Sequence, residues 1–197
     1  MDAIETLMHE HRLIERVLDA MVLFTDQVRR SGTTDREELA RFVTFLREFA
    51  DECHHGKEEG VLFAAMVEHG FPAHGGPVAV MLHEHAQGRA LVRALQQKSE
   101  QAEWTDQDRD GIAGAAESFA GLLRAHIHKE DAVLYPMAEQ HLPPEAMERV
   151  GRDCERFEAE RTGAGAHERL HALAGELVAR HAGAGRAAHP GEPRPAC

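Results

Sequence analysis

One phrase is written twice in this chain, and the spacing between the copies barely changes along its length. His54-His55-Gly56-Lys57-Glu58-Glu59-Gly60-Val61-Leu62-Phe63 returns as His126-Ile127-His128-Lys129-Glu130-Asp131-Ala132-Val133-Leu134-Tyr135. Each copy is preceded by an echo, Met8-His9-Glu10-His11 and then Leu82-His83-Glu84-His85. The offset is 74 residues from His11 to His85, and 72 from His54 to His126 and from Glu58 to Glu130. Nearly equal offsets imply a helix-pair unit used twice. The residues kept across the copies are His and Glu, the types that hold a pair of transition-metal ions between helices.

Four long stretches around these phrases have helical periodicity. The first runs from about Asp2 to Arg30, with Ile4, Leu7, Met8, His11, Ile14, Leu18 and Met21 on one face, and stops at Ser31-Gly32. The second opens at the acidic start Thr34-Asp35-Arg36-Glu37-Glu38 and reaches His69-Gly70, since carboxylates favour a helix N-terminus. A loop rich in Pro and Gly follows, then a third helix from about Pro77 to Gln101. Thr105-Asp106-Gln107-Asp108 caps a fourth, which reaches about His141 before Pro143-Pro144 stops any helix. The expected fold is therefore all-α, an up-down-up-down four-helix bundle over residues 1–141. Glu145–Arg161 and about His167–His181 predict one or two extra C-terminal helices, an appendage over residues 142–182. Residues 183–197 belong to a Gly/Ala/Pro-rich stretch expected to be disordered.

Composition narrows the function. A formal charge of −12 argues against nucleic acid or an anionic membrane as partner, because no basic stripe exists to neutralise phosphates. No apolar run approaches a membrane span, and no signal peptide is evident at the start. Three scattered cysteines (Cys53, Cys154 and Cys197) read as reduced thiols of a cytoplasmic protein. The fifteen histidines are the anomaly, and neutral imidazole is the commonest metal ligand.

Residues four apart share a helix face, so His54 with Glu58, and His126 with Glu130, each form a two-pronged clamp. His11 and His85 lie on the apolar stripes of the first and third helices. A lone His on such a face is ordinarily a hydrogen-bonded core residue; recurrence in register favours ligands. Two bridging carboxylates and two imidazoles per ion, with a bridging oxide or hydroxide, would leave about one open position on each ion, as chemistry or gas binding requires.

The pattern His…HisxxxGlu…His…HisxxxGlu, with Glu-His in helices one and three and His-His-Gly-Lys-Glu-Glu…Leu-Phe in helix two, resembles the hemerythrin-like family of HHE cation-binding domains over about Met1 to His141. The resemblance implies a non-haem di-iron centre with His11, His54, Glu58, His85, His126 and Glu130 as ligands. The iron comes from the resemblance; the spacing alone also admits manganese or zinc. Oxygen-carrying hemerythrins supply two histidines from the third helix, one turn apart. Here Met81 and Arg89 flank His85 at that spacing, which moves the expectation from oxygen carriage toward stress response and sensing. Relatives that repair iron-sulfur centres carry a Cys-bearing segment ahead of the bundle, whereas this sequence opens on helix one. The implied ligand is a small diatomic or peroxide: oxygen, peroxide or nitric oxide. No side chain is an evident base or nucleophile for an organic substrate, so any catalysis belongs to the metal. A non-enzymatic oxygen or iron sensor is the competing expectation.

His55 with Glu59 repeats the four-residue spacing and could replace His54 with Glu58, but position 55 aligns with Ile127. His9, His83 and His128 point away from the ligand face. Glu15 and Arg89 occupy equivalent places one turn beyond a ligand, either as orienting charges or as edge residues with their heads in water. Gly88 removes a side chain beside His85 and could open a gas path, so Gly88→Leu should slow reaction with oxygen or peroxide while iron content holds. His167-Glu168-Arg169-Leu170-His171 is a literal HExxH, yet its Gly/Ala-rich setting and the missed spacing to Gly175 make chance the better reading. Cys53 beside His54 is expected to be a packing thiol.

Overall fold

Six helices make up a computed structural model in which residues 3–161 and 165–181 are described. Helix α1 is Ala3–Ser31, closed by Gly32 at φ 68°, a left-handed position that costs glycine little. Helix α2 covers 36–68, and the Asp35 carboxylate accepts from the Glu38 N–H at its start. Helix α3 is Gly76–Ser99, entered through Gly75 and Gly76 at positive φ. Helix α4 covers 106–141, opened by a reciprocal capping box between Thr105 and Asp108. Helices α5, Pro144–Arg161, and α6, Ala166–His181, complete the chain. No strand occurs among the described residues, and none of their helices is long and apolar enough to cross a membrane. The fold is all-α, as the periodicity predicts, and the helix ends lie within a few residues of the expected ones. The expectation of a disordered tail falls outside the described residues.

The periodicity did not foresee that α2 and α4 are π-helical around the repeated phrases. In α2 the wide turns span Leu46–His55 and Glu58–Leu62, and in α4 they span Glu130–Leu134. Each copy of the phrase thus enters a π segment at its glutamate. A π-turn bonds i to i+5, so neighbouring side chains diverge by less than the ~100° of an α-helix. Consecutive residues can then face the same interior.

The apolar core falls into two parts. One gathers Leu13 to Val28 of α1 with Phe42, Phe45 and Phe49 of α2, Val92 and Leu95 of α3, and Phe119 and Leu123 of α4. The other gathers Ile4 and Leu7, Leu62 and Met66, Val78 and Met81, and Leu134 and Tyr135 from the same four helices. Along α1 and α3 the second cluster precedes the first, and along α2 and α4 the order is reversed. That alternation is the up-down-up-down arrangement, and it leaves a buried polar layer between the clusters. The C-terminal helices join both parts: Leu170, Ala174 and Leu177 of α6 enter the first, and Ala146, Val150 and Cys154 of α5 enter the second.

Candidate metal centre

The polar layer holds His11, His54, Glu58, His85, His126 and Glu130, all essentially without solvent exposure. The predicted clamps exist, with His54 Nε2 3.6 Å from Glu58 Oε1 and His126 Nε2 3.1 Å from Glu130 Oε2. Each carboxylate also reaches a second helix. Glu58 Oε2 lies 3.4 Å from His85 Nε2, and Glu130 Oε2 lies 3.3 Å from His11 Nε2. Two overlapping donor groups result, each with its donor atoms within 4.8 Å of one another: His11, His54, Glu58 and Glu130, and His55, Glu58, His85 and His126. A carboxylate common to both is the geometry of a bridge.

The sequence offers His55 as a replacement for His54; the fold buries both, in different donor groups. Its ring stacks on that of His85 with centroids 3.9 Å apart. The π-helical turn ending at His55 lets both members of the His-His pair face inward. A fifth imidazole, absent from the third helix, thus lies in the layer from the second. Met81 packs in the apolar core, and Arg89 is bound to Asp51 and Glu59.

His11, His54, His85 and His126 each have the ring held from behind by a carboxylate next in sequence to a proposed ligand on another helix. Asp131 holds His11 Nδ1 at 2.7 Å and Glu59 holds His85 Nδ1 at 2.7 Å. Glu10 holds His54 Nδ1 at 2.8 Å and Glu84 holds His126 Nδ1 at 3.0 Å. An ionised carboxylate only accepts, so each Nδ1 donates and each Nε2 is left facing inward as the atom that would meet a metal. Lysines support two of these carboxylates: Lys57 binds Glu10, and Lys129 binds Glu84. Arg89 supports Glu59, and Arg12 supports Asp131 while also pairing with Glu15. Glu15 and Arg89 therefore do not face each other; each belongs to a network behind a different histidine.

The supporting residues obey the repeat: Glu10 and Glu84, Lys57 and Lys129, and Glu59 and Asp131 stand at the same offsets as the ligands beside them in sequence. Their recurrence is the sequence signal that marks them. One exchange breaks the symmetry. Tyr135 takes the place of Phe63, and its hydroxyl donates to Glu58 Oε1 at 2.6 Å beside His11 Nε2 at 3.3 Å.

The electrostatics fit a cation. Burial opposes charge on both rings, yet Asp131 and Glu130 raise His11 to about 9 and Glu58 and Glu59 raise His85 to about 9. Burial, with the charge of His85 beside it, lowers His55 to about 3. Against the cost of its own burial, His54 and His85 hold Glu58 well below the usual carboxylate range. Burial and the two glutamates push the Tyr135 phenol well above its ordinary value. Glu58 Oε2 and both oxygens of Glu130 are buried with no hydrogen-bond partner, and such orphaned charge is costly unless a cation compensates it. His85 Nε2 and His126 Nε2 meet at 3.0 Å, which for two inward lone pairs is repulsive without a proton or metal between them. The residues present fit metal ions.

Clusters elsewhere do not compete. Glu10, Cys53 and Glu158 converge, but the Lys57 ammonium lies among them, bound to both carboxylates. Burial pushes the Cys53 thiol up to about 12 and the Cys154 thiol up to about 11, which makes them unreactive packing residues. In the HExxH stretch, His167 and His171 pack on Phe49, and no third ligand joins them among the described residues. His9, His83 and His128 are exposed.

Residues 2–138 match the hemerythrin HHE cation-binding domain. Uncharacterized proteins of Mycobacterium bovis and of two strains of Mycobacterium tuberculosis are each 25% identical over 136 residues, 67% of this chain and 51% of theirs. The chain thus spans about half the length of the curated relatives it matches. No solved structure gives a significant match. With the match covering the bundle and its buried His/Glu layer, the chain belongs to the hemerythrin family of HHE cation-binding domains.

Proposed function

We propose that the layer holds two iron ions bridged by Glu58 and Glu130, and that the protein binds or reacts with oxygen, peroxide or nitric oxide in the response to oxidative or nitrosative stress. The observation that carries this reading is the shared carboxylate: Glu58 belongs to both donor groups, which is what a dinuclear centre needs and a single-ion site does not. Iron so held supplies one-electron redox chemistry and open positions for a small ligand. The chain's own residues do the rest. His11, His54, His85 and His126 are each held at Nδ1 by a carboxylate, so no reorientation of the ring is needed to present Nε2. Two apolar clusters exclude water from both sides, and Tyr135 keeps a proton on its oxygen beside the Glu58 carboxylate. A cytoplasmic setting suits the two buried free thiols.

The test is anaerobic reconstitution with ferrous iron, metal analysis, an optical spectrum, and then addition of oxygen, peroxide or nitric oxide. Two irons per chain and a rapid spectral change with one of these are expected. One ion per chain, or zinc alone from the native source, would break the dinuclear reading. A sensing reading is favoured by one feature, the path from His54 through Glu10 and Lys57 to Glu158 on α5. If that reading holds, metal loss loosens the C-terminal helices to protease and no turnover accompanies ligand binding.

A further inference from the structure

The two halves of the repeat differ most where helix α3 faces α2. Ile14 and Leu18 of α1 are replaced at the same offset by Gly88 and Val92 of α3, and Glu15 and Asp19 by Arg89 and Arg93. In the first half Ile14 and Leu18 fill the core. In the second half their loss leaves a cavity of about 300 Å³ walled by Ala50, Gly88, Val92 and Phe119. A Cβ built on Gly88 would stand 3.3 Å from Phe119 Cε2, so any side chain here would crowd the ring that walls the pocket. The inner wall is His55, and the outer part carries Arg47, Arg89 and Arg93 against Asp51 and Glu52, an excess of one positive charge.

Volume and charge together define the occupant. A diatomic or peroxide needs little more than one water's ~30 Å³, so this space takes roughly ten non-hydrogen atoms. Its walls are apolar at the depth of Gly88 and Phe119. Arg89 is committed to Asp51 and Glu59. Among the described residues Arg47 has a loose partner in Glu52, 3.9 Å away, and Arg93 is exposed and makes no ion pair. In a chain of net charge −12, uncommitted arginines over an apolar slot form a local attraction for anions.

We propose that this cavity binds a small amphipathic carboxylate, with its apolar body against Ala50, Gly88, Val92 and Phe119, its carboxylate on Arg47 and Arg93, and its inner end beside His55. The pocket is built almost wholly from residues outside the proposed ligand set, so binding does not require the metal. That the bound molecule adjoins a metal centre rests on the function proposed above.

Calorimetric titration of the full-length, metal-free protein with octanoate tests the first part. Saturable binding below about 1 mM is expected, with 1-octanol at least tenfold weaker. Gly88→Leu should weaken octanoate by at least about tenfold, and Arg93→Glu, a change on the exposed rim, should weaken octanoate by a similar factor while leaving octanol unchanged. Absence of saturable binding by folded wild-type protein overturns the proposal. So does equal affinity for octanoate and octanol, or an affinity untouched by Arg93→Glu. In iron-loaded protein, octanoate should shift the visible bands; binding that leaves them unmoved overturns the placement beside the centre. Failure to take up two irons would instead refute the dinuclear reading and leave the metal-free titration standing.

Discussion

Glu84 precedes His85 in the chain, yet its carboxylate holds the ring of His126, with Oε2 3.0 Å from Nδ1. Glu10 does the same for His54 from beside His11. Each helix that offers one imidazole thus also locks an imidazole on a neighbour, which couples metal binding to the packing of helix pairs. Glu84→Gln keeps the shape but lets the amide present either face, so the tautomer of His126 is no longer fixed. Loss of such a partner characteristically weakens metal binding by ~10–100-fold. Competition against a chelator of known affinity measures this; an unchanged affinity would mean that the ring is held by packing alone.

The six proposed ligands were legible because recurrence at a fixed offset is independent of local propensity. Helix ends were legible too, since Gly32, Asp35, Thr105 and Pro143 act locally. His55 was not legible, because its inward direction depends on a π-turn, and an α-helical angle rotates it away from the face of His54. Tyr135 was hidden for the opposite reason. As the counterpart of Phe63 it reads as core, and only the fold brings its hydroxyl to Glu58. Nor did the tail of the sequence disclose that α6 seats Leu170, Ala174 and Leu177 among α1 and α2 residues, because a periodic helix does not name the surface it covers.

The equivalent lysines separate burial from charge. Lys57 is 1% exposed and bound to Glu10 and Glu158, whereas Lys129 is 39% exposed and bound to Glu84. Lys57→Met strips two carboxylates of a buried cation and should cost about 3–5 kcal/mol, as breaking a buried pair from one side does. Lys129→Met should cost no more than about 1 kcal/mol. Urea unfolding of the metal-free variants compares them. Equal losses would show that water reaches Lys57 freely.

His55 belongs to only one of the two donor groups. Removing its ring in His55→Ala leaves His11, His54, Glu58 and Glu130 complete and deprives the other group of one imidazole. The expected result is a split in metal affinity: one ion retained under mild chelation and the second lost, where the wild type keeps both. Metal analysis after dialysis against graded chelator reads the stoichiometry. Retention of both ions would remove His55 from the centre.

Tyr135→Phe tests whether the phenol serves the site or the fold. The ring has a precedent in Phe63 at the matching place in the other half of the repeat, so packing survives the change. What is lost is the 2.6 Å hydrogen bond to Glu58 Oε1. In the metal-free protein a buried carboxylate oxygen then joins those already without a partner, at a cost of about 1–3 kcal/mol. Bound cations compensate the same carboxylate, so the penalty should shrink once metal is present. Denaturant unfolding of both proteins, with and without metal, gives the four stabilities required. A penalty equal in the two states would show that the hydroxyl acts on the helix packing and not on the Glu58 charge.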